Sequence, residues 1–537
     1  MPPRLLQPFV AIALAAAASA QSNTIVGLDA RLTDNAGPLY FGRRGANFPN
    51  GEIALAYSYT VCNAGSVNIA WVPPMHPSHP MFAMMVVREA NGRFEQITTD
   101  ATTYVKHGFS AANDPSTCGG TCAPPITGPG LRPQCSDTYS AGTNANRHYL
   151  GPASEIDPWT GVWTPVGSYF DRGDPEVAPP QNTDGQRSLM GNGPVFLADS
   201  VKNRITLRDP DLLGASQLWM CCHVIVPGEH GDLRFDNLGH RQLQATPNLG
   251  LWSFSNPTPF ASGSVLAQWS GASLAHARNG NDDGHFFVAG KVTPLGGSLW
   301  HYEYAVQNFD NRRGGASLRI PVCPTTVVTN VTFRDPNGNP LDDWTHARFG
   351  AELVFSAPAG NALAWNNIYN FGFDCDIGPQ NGSVAIDQAL VGPGALTVHV
   401  TAPVPSGLAA VTTLGPGCGA PAPSLGTSAP LPLIPNPGFA FTWSGAPNAA
   451  VYLFAAFDDA AIPLAPGCMQ WLAPDFFPYG SYLTDGTGAA VAPAPIPNLL
   501  ALEGRTCDWQ GVEVVPGGPL LGFLQVSNGL ELRLATR

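Results

Sequence analysis

The chain has 537 residues, and its 26 Lys and Arg against 39 Asp and Glu give a formal net charge of −13 at pH 7. Its 59 glycines and 53 prolines are nearly double the average usage, which disfavours a helix-rich protein because neither residue is tolerated inside helices. Apolar residues still make up 44%, which argues against disorder, and the acidic balance without a polybasic run argues against nucleic-acid binding.

The first 20 residues have the pattern of a secretory signal peptide. Arg4 forms a short basic region, an apolar run extends from Phe9 to Ala17, and Ala18-Ser19-Ala20 is a small-x-small cleavage site. No later stretch approaches the roughly 20 apolar residues of a transmembrane helix. We therefore expect an exported mature chain, periplasmic, cell-surface or extracellular, with no transmembrane segment.

Strand and turn signals dominate the rest of the chain and predict a mainly β protein with two or three antiparallel β-sandwich-like domains and long Cys/Pro/Gly-rich loops. Since single cores stop growing near 250 to 300 residues, the length requires several domains. We expect an N-terminal β domain over 21–239, a β-sandwich-like domain over 240–414 and a C-terminal β module over 415–537. The oligomeric state cannot be predicted.

The first local cluster of chemical interest combines histidines and methionines. It includes His76 and His79, with Met81 close behind, and imidazole and thioether donors suit copper. His107 is a candidate third ligand. The alternative interpretation is a proline-stiffened surface loop whose histidines are solvated and whose methionines enter the core of the next strand.

A β-hairpin is predicted directly after this cluster. Residues 81–89 are β-prone, Asn91-Gly92 is a favoured hairpin turn, and 93–99 can return as the partner strand.

Eleven cysteines in an exported chain are expected to form disulfides, with at least one left unpaired or intermolecular. The main candidates are Cys118, Cys122, Cys135, Cys323, Cys375, Cys418 and Cys468. Their connectivity cannot be deduced, although Cys323 with Cys375 and Cys418 with Cys468 are reasonable pairs. Cys118, Cys122 and Cys135 could instead be three ligands of a zinc site.

A long excursion over 113–180 is rich in Pro, Gly and Cys and has few strand signals. Its aromatic candidates for ligand binding are Tyr149, Trp159, Trp163 and Tyr169, and acids such as Glu155 and Asp157 lie beside them. Rings with carboxylates are typical of a glycan-binding or glycan-cleaving cleft. Alternatively, the rings anchor an irregular segment while the acids remain in water.

Two loops carry oxygen donors at alternating positions, as calcium loops do. The first is 279–284 and the second contains Asp335, Asn337 and Asn339. Neither is an EF-hand, so any calcium there would be structural, and a polar turn is the alternative.

A second hairpin is predicted over 285–308, and the period-two rule divides its second strand into two faces. Trp300, Tyr302 and Tyr304 share one face, while His301 and Glu303 are neighbours on the other. The rings could form a core or a sugar-stacking platform. His301 and Glu303 could act as an acid–base pair or simply form the solvated face of the strand.

The C-terminal 120 residues resemble a β-rich terminal module of uncharacterised secreted multidomain proteins from planctomycete-like bacteria. The resemblance lies in Gly417-Cys418-Gly419, Gly445-Ala446-Pro447, Gly467-Cys468, Ile496-Pro497-Asn498, Gln510 and Ser527-Asn528-Gly529-Leu530. Earlier segments, among them Lys106-His107-Gly108-Phe109 and the stretch from Trp300 to Arg313, are similar to other exported proteins of such bacteria. The resemblance implies an exported multidomain β protein and brings no activity, cofactor or catalytic residue.

Complete catalytic motifs are missing from the sequence: the Gly-x-Ser-x-Gly elbow, the His-Glu-x-x-His zinc motif and a phosphate loop with its lysine are absent. The leading hypothesis is therefore non-catalytic binding of a glycan or another cell-surface component. The rival is a secreted enzyme, either a carbohydrate-active hydrolase or a copper-dependent oxidase. No cofactor is firmly implied, with copper and structural calcium as the candidates.

Overall fold

The computed structural model describes residues 24–535 apart from 74, 99–103, 108–109, 123–126, 173–182, 189–197, 230, 281–283, 298, 323–325, 351, 393, 406–408, 500–501 and 503–504, and side chains are not described for 104–107. The predicted signal peptide, Cys323 and the central part of the 279–284 loop lie outside the described residues. The predicted fold class is confirmed: the chain is mainly β, with antiparallel sheets packed as sandwiches.

The described residues of the N-terminal sandwich form two large antiparallel sheets and a separate two-stranded sheet. Its strands are β1 Ala30–Arg44, β2 Glu52–Asn63, β3 Ile69–Ala70, β4 Met81–Ala90, β5 Arg93–Gln96, β6 Tyr104–His107, β7 Gly130–Leu131, β8 Ser136–Tyr139, β9 Leu150–Pro152, β10 Ile205–Arg208, β11 Gln217–Ile225, β12 Leu238–Asn248, β13 Leu251–Ser255 and β14 Ala261–Ser262. One sheet has the order β1-β2-β10, with β8 beside β2, and the other has the order β13-β12-β11-β4-β6-β9.

The helices of the described residues are short, and four of them lie in the excursion. The α-helices are α1 Ala141–Asn144, α2 Tyr169–Arg172 and α3 Asp209–Leu213, and the 3-10 helices are Arg147–Tyr149, Ala153–Glu155, Gly231–Asn237 and Val265–Gln268. Their lengths agree with the high Gly and Pro content, which prevents long helical runs.

The middle sandwich also pairs two sheets. Its strands are β15 Ser273–Arg278, β16 His285–Gly296, β17 Leu299–Asn308, β18 Gly315–Pro321, β19 Val328–Arg334, β20 Thr345–Phe349, β21 Glu352–Ser356, β22 Asn367–Cys375, β23 Gln380–Gln388 and β24 Thr397–Val404. The strand orders are β15-β16-β17-β22-β19 and β20-β21-β18-β23-β24.

The C-terminal module is built around a larger and a smaller sheet. Its strands are β25 Ala410–Gly415, β26 Ser424–Thr427, β27 Ala440–Ser444, β28 Ala450–Ala456, β29 Asp459–Ala465, β30 Cys468–Leu472, β31 Phe477–Leu483, β32 Ala489–Pro493, β33 Thr506–Val514, β34 Leu524–Val526 and β35 Gly529–Arg533. The larger sheet has the order β25-β35-β33-β28-β31, the smaller sheet β26-β27-β32, and β29 pairs with β30.

The expected domain boundaries both fall within strands. β12 continues past Gly239 and pairs with β11, and β25 crosses from Leu414 to Gly415 and pairs with β35. The first boundary is therefore crossed by a strand that belongs to the N-terminal sheet, and the second by one that belongs to the C-terminal sheet.

The sheets of the two sandwiches stack in four layers. Alternate residues of β4 face opposite cores: Met84 packs between the two N-terminal sheets, whereas Met85 packs against the middle sandwich. In β22, Ile368 faces the N-terminal sandwich and Phe371 faces the middle core. This period-two division gives the central strands two buried faces, as expected for sheets covered on both sides.

Both predicted hairpins form. Asn91 and Gly92 have φ of 52° and 82°, the left-handed pair that a tight hairpin turn requires, between β4 and β5. In the second hairpin, β16 continues through Pro294 to Gly296, and β17 begins at Leu299.

The disulfides partly match the expectations. Cys418 bonds to Cys468 as predicted, Cys62 bonds to Cys118, and Cys122 bonds to Cys135. Since Cys118 and Cys122 belong to different disulfides, these cysteines do not form a zinc site.

The second predicted pair, Cys323 with Cys375, falls outside the described residues at Cys323. Cys375 is a buried free thiol at the end of β22, and its Sγ donates to the carbonyl of Ile377 at 3.3 Å.

Candidate functional site

The histidines proposed for copper lie in different environments. His76 is exposed, and its Nδ1 accepts the backbone N–H of Ser78 at 3.2 Å. His79 is buried with its ring edge-on to Trp71, at 6.0 Å between centroids. His107 ends β6, but its side chain lies outside the described set. No group of three or more His, Cys, Asp or Glu suited to a metal ion occurs among the described residues.

The aromatic residues proposed to stack on sugars are packing residues. Trp159, Trp163 and Tyr169 are all at least nine-tenths buried, and only Tyr149 is half-exposed. Trp163 and Tyr169 form a small core with Trp365 of the middle sandwich. The three buried rings pin the excursion to its neighbours, and the glycan cleft expected there stays a prediction.

The acids beside these rings are used by the backbone. Glu155 accepts the N–H of Tyr169 at 2.6 Å, and Asp157 accepts those of Trp159 and Thr160 at 3.0 Å. Such bonds hold an irregular segment in place. Asp157 also accepts from Arg312, 155 positions away, at 3.1 Å, so both acids have structural partners.

The second calcium candidate is a polar turn. Asp335 accepts the N–H of Gly338 and the amide of Asn361, while Asn337 accepts the N–H of Asn339 at 2.5 Å. The side-chain oxygens that would bind calcium therefore cap the turn instead.

His301 and Glu303 are neighbours, as the strand periodicity predicts, and Asp374 on β22 completes the cluster. His301 Nδ1 lies 2.6 Å from Asp374 Oδ1, and its Nε2 lies 3.4 Å from Glu303 Oε2. Nε of Arg93, on β5, donates to Oε1 of Glu303 at 2.6 Å. The cluster thus joins the middle sandwich to the first hairpin.

The electrostatics of this cluster favour the protonated form of His301. Hydrogen bonding to Glu303 raises the pKa of His301, and the Asp374 contact adds to this against the lowering effect of burial. Because both ring nitrogens face carboxylates, the imidazolium is favoured and neither nitrogen is left as a base. The chemistry of the cluster is that of a structural ion pair between domains.

A larger candidate site lies where the middle sandwich meets the C-terminal module. It is a cavity of about 660 Å³, which we call the aromatic cavity. Its described lining residues are Gln380, Phe439, Phe441, Phe457, Tyr479, Ala494, Pro495, Ile496, Pro497, Leu502, Arg505, Thr506, Cys507, Trp509, Leu532 and Leu534.

The cavity wall is formed by the strands β27, β31, β33 and β35 and the segment after β32. Trp509 lies 4.3 Å from Phe441 between ring centroids and 4.8 Å from Tyr479, which approaches edge-on. The Tyr479 hydroxyl donates to the carbonyl of Pro493 at 2.8 Å, which fixes this ring at the mouth. Phe457 is 68% exposed and extends the aromatic surface outward.

Few polar groups enter the cavity. Arg505 is exposed and forms no ion pair with any described acid, and Gln380 comes from the start of β23. Cys507 is a half-buried free thiol, and burial raises its pKa to about 11. A mainly apolar wall with a small number of polar groups is the usual composition of a ligand pocket.

Sequence reasoning missed this site because its residues are far apart in the chain. Phe441 and Trp509 are separated by 68 positions and lie on different sheets, β27 in the smaller and β33 in the larger, so they meet only where these sheets pack. The resemblance did cover part of the wall, since it includes Ile496 and Pro497, but without any role for them.

Comparisons with known proteins provide no assignment. No protein family and no curated protein matches the chain. Among solved structures, it is 7% identical to Escherichia coli alpha-2-macroglobulin activated by porcine elastase, covering 94% of this chain and 35% of that one, with a TM-score of 0.14. It is 10% identical to the major pilin subunit of Bacillus cereus, covering 61% of this chain and 84% of the pilin, with a TM-score of 0.15. The chain thus spans about a third of the macroglobulin.

Helices that could cross a membrane are not found in the described part of the chain.

Proposed function

We propose that this chain is an exported, non-catalytic protein that binds a glycan or another cell-surface component, and that the aromatic cavity is its binding site. The observation that carries the proposal is the cavity itself: about 660 Å³, walled by aromatic rings, with Arg505 and Gln380 at its edge. This volume lies within the range of small-molecule sites.

Export is supported by the three disulfides, since such bonds form and persist in oxidising compartments. The signal-peptide pattern of the first 20 residues supports the same location. The His301 cluster gives no support to acid–base catalysis there, because its titratable atoms contact one another and join two domains. The hydrolase and oxidase hypotheses remain predictions.

The proposal is tested with the disulfide-bonded mature protein on a glycan array and in pull-downs with insoluble cell-wall polymers. Ala494→Trp fills the cavity, and Phe457→Ala removes an exposed ring at its mouth with little risk to folding. Val491→Trp and Leu483→Ala are matched controls, because Val491 and Leu483 are 60% and 68% exposed and lie outside the cavity lining.

We expect the wild-type protein to be retained by at least one surface component. Ala494→Trp and Phe457→Ala should weaken retention about tenfold, a change of about 1.4 kcal/mol, while both controls bind like wild type. Failure of the wild-type protein to bind any surface component would overturn the binding function, and equal binding by all four variants would overturn the assignment to the cavity.

A further inference from the structure

The aromatic cavity also carries information about the class of its ligand. Trp509 is only 9% exposed and packs against Phe441 and Tyr479, so its face is covered by other rings. Sugar recognition by stacking needs an open ring face with hydrogen-bonding groups around it. A wall of packed rings and aliphatic side chains instead favours a ligand with an apolar body.

The cavity extends along β33. The described lining residues on this strand run from Thr506 to Trp509, a span of about 10 Å at 3.3 Å per residue. Leu532 and Leu534 lie beside them, and Leu532 pairs directly with Cys507. An elongated ligand lying along the strand would therefore contact apolar side chains over most of its length.

A charged side chain, Arg505, lies at one end of the cavity wall along β33. Arg505 is the charged residue among the described lining residues, and it precedes β33, whereas Trp509 lies four residues further on. Its guanidinium has no ion pair or hydrogen bond with a described residue, in a protein whose net charge is −13. A guanidinium with five N–H donors beside an apolar cavity suits a carboxylate or phosphate.

We propose that the aromatic cavity binds an elongated apolar molecule that ends in a single anionic group, with the apolar body along β33 and the anion at Arg505. This inference rests on the proposed function for the position of the site, and it selects one ligand class among the surface components considered there. Arg533 provides a matched control, because it alternates with Leu532 and Leu534 along the chain and is not among the described lining residues.

The test uses the full mature protein and four probes that share a twelve-carbon chain: dodecanoate, dodecyl phosphate, dodecanol and dodecyltrimethylammonium, each below its micelle-forming concentration. Calorimetry gives the affinity. Protection of Cys507 from labelling by maleimide at pH 9, detected by mass spectrometry, reports whether the probe occupies the cavity. Cys221, Cys222 and Cys375 are buried and serve as internal references.

We expect dodecanoate or dodecyl phosphate to bind at least tenfold more tightly than dodecanol, and to slow labelling of Cys507 by at least tenfold. The tighter binder of the two shows whether the site prefers a carboxylate or a phosphate. Arg505→Gln should weaken binding of the anionic probes about tenfold and leave dodecanol unchanged, while Arg533→Gln should change neither.

Equal affinities for all four head groups, or no effect of Arg505→Gln, would overturn the anionic assignment. Binding that leaves Cys507 unprotected, or that survives Ala494→Trp, would overturn the location. A glycan that binds the wild-type protein and is lost in Ala494→Trp would overturn this ligand class while the proposed function stands. If the protein binds a probe but is retained by no surface component, the proposed function is overturned while the ligand class stands.

Discussion

Glu229 shows how much a single buried residue adds to the electrostatics of the N-terminal sandwich. It is 2% exposed, and its carboxylate accepts the N–H of Ala30 at 2.7 Å and the side-chain amide of Asn237. Burial raises the pKa of Glu229 to about 8, against the lowering effect of these bonds and of Arg234. The folded protein therefore holds a proton there at neutral pH.

This raised pKa predicts a loss of stability as pH increases. An unfolded glutamate titrates near 4.3, so between about pH 4 and pH 8 the folded state binds more protons than the unfolded state, and the free energy of unfolding decreases across that window. Glu229→Gln should flatten the decrease. If the Asn237 amide, whose Nδ2 now donates to Glu229, turns over, its Oδ1 can accept the new N–H, since Oδ1 has no hydrogen-bond partner among the described residues.

The measurement is chemical denaturation at several pH values, with the half-exposed Glu352→Gln as the control. We expect the variant to be more stable than wild type at pH 8 by up to about 5 kcal/mol, since the folded and unfolded pKa values differ by nearly four units and one unit corresponds to about 1.4 kcal/mol. Parallel pH profiles for wild type and Glu229→Gln would show that the carboxyl is not protonated in the folded state.

At the scale of elements, the hairpin of β4 and β5 shows what sequence can and cannot predict. Its turn is local, because Asn91-Gly92 adopts the required left-handed conformation whatever lies nearby. Its docking is not local: the Gln96 side chain accepts the N–H of Ile368 at 2.8 Å across 272 positions. No spacing rule links two such distant residues before the sheets are assembled.

The Cys418–Cys468 disulfide predicts a specific loss of stability in the C-terminal module. It closes a loop between residues 50 positions apart, and the chain-entropy estimate for such a loop is about 4 kcal/mol. Cys418→Ser combined with Cys468→Ser should lower the stability of the module by this order. The measurement is thermal unfolding, with Cys507→Ser as a control that removes a thiol without removing a disulfide.

Similar melting of the double variant and the control would contradict a stabilising role for this disulfide.

At the scale of the whole molecule, the apolar clusters divide the chain into two parts. One cluster combines Phe94 and Trp219 of the N-terminal sandwich with Phe287 and Ile368 of the middle sandwich. The main core of the C-terminal module contains only residues after position 410, such as Trp443. The two sandwiches therefore share a buried interface that the module does not.

This division predicts two calorimetric unfolding transitions, one for the stacked sandwiches and one for the C-terminal module. Since shared apolar surface couples the unfolding of neighbouring domains, the double cysteine variant should move only the second transition. A single transition that shifts as a whole would contradict the division, and three transitions would show that the sandwiches unfold separately.

The sequence predicted the fold class and the local elements, but little of the candidate site. Alternation and turn residues identify strands, and the neighbours His301 and Glu303 follow from period two alone. Burial of Trp163 and Tyr169, in contrast, depends on Trp365 from another domain. The aromatic cavity likewise combines residues from Gln380 to Leu534, which only the completed sheets bring together.

The central claim, that the aromatic cavity is a binding site, is tested most directly by comparing Ala494→Trp with Val491→Trp. Both variants add the same ring within four positions of each other, one inside the cavity and one on an exposed surface. We predict that ligand affinity decreases at least tenfold in Ala494→Trp and is unchanged in Val491→Trp, with both proteins folded by circular dichroism. Equal affinity in the two variants would contradict the account.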